Sequence, residues 1–78
     1  MDQKNKQRYD YNKLNGRIVE VCGTRKEFAK RMGFSERTLS LKLNNKVSWK
    51  QPEIMKAIQV LGLEETDIQE YFFTLKVH

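Results

Sequence analysis

Few side chains in this sequence of 78 residues are equipped for covalent chemistry. The one histidine, His78, is the last residue, and the one cysteine, Cys22, falls on an apolar helical face. Neither has a partner nearby in sequence for metal ligation or nucleophilic catalysis, so no metal, no cofactor and no enzymatic activity are expected. Glu64, Glu65, Asp67 and Glu70 read as helix-capping and solvating charge rather than as an acid/base pair. A lone cysteine also excludes an internal disulfide, which fits a reducing cytoplasm.

Binding chemistry is better represented. Lys and Arg number 15 against 10 Asp and Glu, a net charge of +5. Residues 1–50 hold 13 basic and 5 acidic side chains, whereas residues 51–78 hold 2 and 5. The asymmetry points either to a polyanion-binding face in the first two-thirds of the chain or to an ordinary solvated surface. Apolar runs are at most three or four residues long and Met1 is followed by polar residues. Neither a membrane span nor a secretory leader is therefore expected. No long amphipathic basic helix suggests a membrane-surface role, and no small-molecule ligand is evident.

Residues able to bind must be held by helices. A chain this short buries about 60% of its unfolded surface in one domain. Residues 1–9 read as a basic flexible tail, residues 10–73 as the folded domain and residues 74–78 as a C-terminal tail. Leu14, Ile18, Val21 and Cys22 predict a helix over about 11–22, stopped by Gly23. Thr24-Arg25-Lys26-Glu27 has the form of a capping box, and Phe28, Ala29 and Met32 line the helix it opens, which ends at Gly33. Ser35 is the next N-cap, with Glu36 in the first turn and Asn45 in a left-handed C-cap beyond Asn44. Ser48-Trp49-Lys50-Gln51 offers another capping box, or Pro52 marks the true start, before the stripe Ile54, Ile58, Leu61 that Gly62 ends. Thr66-Asp67-Ile68-Gln69 opens the last helix, with Ile68, Tyr71, Phe72 and Leu75 facing inward. The expected fold is all-α, a compact bundle of five short helices.

The stretch "SERTLSLKLNN", residues 35–45, is ambiguous by period, because Leu39, Leu41 and Leu43 also alternate as in a half-buried strand. A strand there would stand alone among helices with its backbone unsatisfied, so the helix is preferred. With Leu39 at 0°, Leu43 falls at about 40°, Ser40 at about 100°, Asn44 at about 140°, Arg37 at about 160° and Leu41 at about 200°. Arg37, Ser40, Leu41 and Asn44 therefore share the face opposite the core.

"TRKEFAKRMGFSERTLSLKLNNK" resembles the two central helices of the lambda-repressor-like helix-turn-helix family, in particular the small phage Cro-type (XRE-like) regulators. Ala29 allows the close crossing of that motif and Gly33 the positive φ of its short corner. The resemblance extends over roughly residues 10–73, and "YDYNKLNGRIVE" and "YFF" look like the versions from Gram-positive phages. It implies a recognition helix at residues 35–44 that enters the DNA major groove. Ser35, Glu36, Arg37, Ser40, Leu41 and Asn44 are then the base-contacting candidates, Arg37 bidentate on guanine and Leu41 against a thymine methyl. Thr24, Arg25 and Lys26 at a helix N-terminus, with Lys46 and Lys50 in the later loop, are the phosphate-contacting candidates. One residue departs from the family pattern. Lys42 stands where an apolar residue is usual, so Leu43 is expected to take over the packing while the Lys42 stem lies along the surface.

The function so implied is sequence-specific binding of double-stranded operator DNA, as a Cro-like repressor of a phage or prophage. One short helix reads few base pairs, so a homodimer on two half-sites is expected. Tyr71, Phe72, Phe73 and Leu75 are the interface candidates, "FTLKV" alternating as a pairing strand would, or else they close the core. The alternative is an antirepressor or modulator that keeps the fold but binds a repressor protein. Leu41 and the terminal aromatics would then be the contact surface.

Overall fold

The computed structural model describes residues 8–76. Five helices follow one another: α1 (Asn12–Cys22), α2 (Arg25–Met32), α3 (Glu36–Leu43), α4 (Gln51–Leu61) and α5 (Ile68–Phe72), the last entered through a 3₁₀ turn at Glu65–Asp67. They pack into a body of 34 × 27 × 23 Å, the all-α bundle read from the sequence. Residues 1–7 of the expected basic tail, and residues 77–78 with His78, lie outside the described residues.

Local chemistry sets the helix ends. The Thr24 hydroxyl accepts the Glu27 N–H at 3.0 Å, but the Glu27 carboxylate turns forward to Arg31 at 2.9 Å, so only half of the expected capping box forms. The Arg31 hydrogen bond holds the Glu27 carboxyl below its ordinary value. α2 ends at Gly33, whose φ of 80° lets Phe34 N–H reach back to the Ala29 carbonyl at 2.8 Å and turns the chain within three residues into α3. Ser35 caps α3, accepting the Thr38 N–H at 3.0 Å. Asn45, at φ 63°, occupies the left-handed position beyond it.

Two caps differ from expectation. Ser48 does not open α4: Lys50 is its N-cap, the Lys50 N–H donates to Glu53 at 2.8 Å, and Pro52 sits harmlessly in the first turn. Thr66 does not open α5, because Asp67 instead accepts the Glu64 N–H at 2.9 Å and the chain enters through the 3₁₀ turn. In both places a carboxylate three residues on accepts the backbone N–H of the residue that opens the turn.

The core takes Leu14 and Ile18 from α1, Phe28, Ala29 and Met32 from α2, Leu39 and Leu43 from α3, Ile54, Ala57, Ile58 and Leu61 from α4, and Phe72 from α5. Arg17 on α1 donates to the Leu61 carbonyl at 3.0 Å, putting a cation on the free carbonyls at the end of α4. Phe72, read from the sequence both as facing inward and as an interface candidate, is 1% exposed and closes the core. It stacks edge-on against Trp49, with ring centroids 5.1 Å apart.

Lys42 corrects the expectation more sharply. Three residues after Leu39, it lies at about −60° on the helical wheel and so on the core side. It is 2% exposed, with its stem inside rather than along the surface, and Leu43 is buried beside it. Its ammonium donates to the Ser48 carbonyl and pairs with Glu53, both at 2.9 Å, and lies over the rings of Phe34 and Trp49.

The two ends of the described segment meet. Asp10 N–H donates to the Thr74 carbonyl at 2.7 Å and Lys76 N–H to the Arg8 carbonyl at 3.0 Å, so Tyr9 and Leu75 face each other in a short antiparallel ladder. Residues 74–76 thus pair within the chain, and Arg8 and Tyr9, assigned to the tail by sequence, are held in it. Asn45 completes the arrangement: its carboxamide accepts the Tyr9 N–H at 2.8 Å and donates to the Tyr9 carbonyl at 3.0 Å, imitating a third strand.

Candidate functional site

α3 and its two caps carry the six base-contacting candidates. Arg37 and Glu36 are exposed in its first turn, Ser40 is partly buried and Asn44 is exposed just past its end. Asn44 donates to the Ser40 hydroxyl at 3.2 Å, so these two form one polar unit. Ser35 is engaged as a cap, and its own hydroxyl donates to the Thr38 hydroxyl at 2.9 Å. One acceptor lone pair remains for an outside donor.

Leu41 was expected in solvent and is partly buried. The chain beyond Asn45 doubles back, and both Lys46 N–H and Val47 N–H donate to the Leu41 carbonyl, at 2.8 and 3.3 Å. The loop is thereby fastened to the last turn of α3 through its backbone.

Thr24, Arg25 and Lys26 are exposed together at the N-terminus of α2. Arg25 also walls a shallow hollow of about 140 Å³ with Glu36, Leu39 and Ser40, so the start of α2 and the middle of α3 share one concave surface. Lys46 and Lys50 are exposed in the loop between α3 and α4 and do not line that hollow. A polar hollow of about 290 Å³ continues the surface past Asn44, among Asp10, Asn15, Arg25 and Lys76.

A second feature, lined by both aromatic and polar side chains, lies beyond the α3–α4 loop. A groove of about 220 Å³ is walled by Tyr9, Lys46, Val47, Trp49, Ile54 and Phe73. Tyr9, Val47 and Trp49 were not candidates from sequence. The available signal was Val47 itself, the one aliphatic residue in the otherwise polar "NNKVS". Of the expected interface residues, Phe73 and Leu75 are exposed, Tyr71 is partly buried under Lys13, and Phe72 is unavailable.

Burial of the Tyr11 hydroxyl between the ladder and the core, with Tyr9 nearby, raises its pKa to about 12, so it stays neutral across physiological pH. Among the described residues no group of three or more His, Cys, Asp or Glu is arranged to hold a metal ion. Among them, too, no helix is long and apolar enough to cross a membrane.

The described residues thus form a small helical bundle with a hollow between the start of α2 and the middle of α3 and a groove beyond the α3–α4 loop. Residues 7–75 match the family described as protein of unknown function (DUF739), and the chain belongs to that family. Among solved structures it is similar to the solution structure of the modulator of repression (MOR) of the temperate bacteriophage TP901-1 from Lactococcus lactis. Identity is 60%, the TM-score is 0.77, and the match covers 90% of this chain and 95% of that one. No curated protein matches the sequence.

Proposed function

We propose that this chain is a phage regulator that modulates repression by binding a repressor protein. The observation that carries this reading is the 60% identity, over nearly the whole of both chains, to a protein described as a modulator of repression. On this reading the protein acts in the cytoplasm by association alone, without catalysis, cofactor or metal.

A second reading has its own support. Thr24, Arg25 and Lys26 are exposed at a helix N-terminus beside an α3 that presents Arg37, the arrangement that the lambda-repressor-like resemblance would use on operator DNA. Two copies on adjacent half-sites would then be required.

Titration of operator DNA with the phage's repressor, with and without this chain and at several salt concentrations, separates the two. The first reading expects no specific retardation by the chain alone and a repressor affinity altered by about tenfold or more when it is present. Specific retardation by the chain alone, lost in Arg37→Ala, would favour the second and displace the first.

A further inference from the structure

Four large hydrophobic side chains are exposed among the described residues, and three of them are neighbours. Val47 and Phe73 line the 220 Å³ groove, and Leu75, two residues on from Phe73, faces Tyr9 across the ladder. The Phe73 ring stands edge-on to Tyr9 with centroids 5.6 Å apart, so groove and ladder face form one apolar surface. The fourth, Val19, is alone on α1. Concentrated apolar exposure of this kind marks a contact site, whereas a single exposed valine does not.

We propose that this groove and the adjoining ladder edge are where the repressor docks, and that they receive an extended acidic segment of it carrying one large apolar anchor. The proposal rests on the reading of the chain as a repressor-binding protein. Three observations select the occupant. At about 220 Å³ the groove is smaller than the ~300–1,000 Å³ of small-molecule sites, and suits one inserted side chain.

The charged groups around it come next. Lys46 stands in the groove wall and Arg8 and Lys76 on the ladder; among the described residues of that wall and ladder the one acid is Asp10, whose carboxylate already accepts the Asn12 N–H at 2.8 Å. A second copy of this chain, packed about a two-fold axis, would bring these cations against their own equivalents; an acidic segment meets the opposite charge.

The ladder itself argues for an extended occupant. Because Thr74 C=O and Lys76 N–H are spent on residues 8–10, the intervening Leu75 turns its own N–H and C=O outward. That edge can accept one more strand, whose alternate side chains would fall toward Phe73 and Val47.

Trp49 is the only tryptophan in the chain and lines the groove, so 5-fluorotryptophan at that position reports occupancy without interference from the repressor. Titrating the full-length labelled chain with the purified repressor of the same phage should move the fluorine resonance. Val47→Glu, Leu75→Glu and Lys46→Glu should each raise Kd tenfold or more, while Val19→Glu should leave it within twofold. An unmoved fluorine signal during binding, or groove variants that bind like the wild type, would overturn the proposal and leave repressor binding standing. So would a dimer in sedimentation that Leu75→Glu dissociates, since the surface would then serve a second copy. A wild-type chain that binds no repressor at all would remove the functional reading and this inference together.

Discussion

Lys42 occupies a position that helical geometry assigns to the core, and it is held there by partners rather than by its own polarity. A buried ammonium is tolerated where it is paired, hydrogen-bonded and laid over aromatic faces, and Lys42 has all three. Removing one member of such a pair leaves the other stranded; removing both need not be costly. Since the Glu53 side chain is 23% exposed, water recovers part of the loss. Lys42→Ala is therefore expected to cost about 2–3 kcal/mol in urea unfolding, and Lys42→Met with Glu53→Leu to fall within about 1 kcal/mol of the wild type. Burial pushes the Glu53 carboxyl up, but the hydrogen bonds from Lys42 and the Lys50 N–H, with both charges, outweigh it and hold the carboxyl below its usual 4.5. A pKa lowered by folding contributes stability that is present above the ordinary glutamate range and lost as pH falls through the folded-state value. Wild-type melting temperature should fall across that acid window, and Glu53→Gln should flatten the dependence.

Among the elements, the terminal ladder depends on a single residue of the α3–α4 loop. Asn45 sits at a positive φ that asparagine tolerates and uses its carboxamide as a substitute strand for Tyr9, so the end of α3 and both chain ends are fastened at one point. Asn45→Gly keeps the backbone conformation and deletes only the carboxamide. With two hydrogen bonds lost, at about 1 kcal/mol each, exchange of the Asp10 and Lys76 amide protons should quicken roughly tenfold or more. Amides in the middle of α1 and α4 should be unaffected. Equal acceleration throughout would mean that the ladder is not a separate opening unit.

The whole molecule has little stability to spare. At about 0.05–0.15 kcal/mol per residue, a chain of this size totals about 4–12 kcal/mol. Among the described residues no helix exceeds 11 residues, too short to stand alone, so the bundle should fold as one cooperative unit around shared core residues. Phe28 is fully buried in α2, and Phe28→Ala is expected to cost about 3–5 kcal/mol. The melting temperature should drop by more than about 12 °C, with far-ultraviolet circular dichroism and Trp49 emission still changing in a single transition.

What the sequence determined by itself was local. The apolar stripes of α1, α2 and α4, the Thr24 and Ser35 caps, the Gly33 corner and the left-handed Asn45 are all set by residues within a turn or two of one another. Periodicity and capping chemistry therefore revealed them, and with them the all-α class and the surface carrying Arg37 and Asn44. Tertiary structure decided the rest. Whether Lys42 lies in or out depends on Glu53, Ser48 and Trp49, which the next loop and helix deliver. Phe72 is inside because Trp49 meets it, and residues 74–76 pair with residues 8–10 across almost the full length of the chain. The groove at Val47 exists only because those distant closures bring Tyr9 and Phe73 beside the α3–α4 loop. Contacts between residues far apart in the chain leave no period in the sequence, and it is they that separate a buried lysine from an exposed one and an open apolar edge from a closed core.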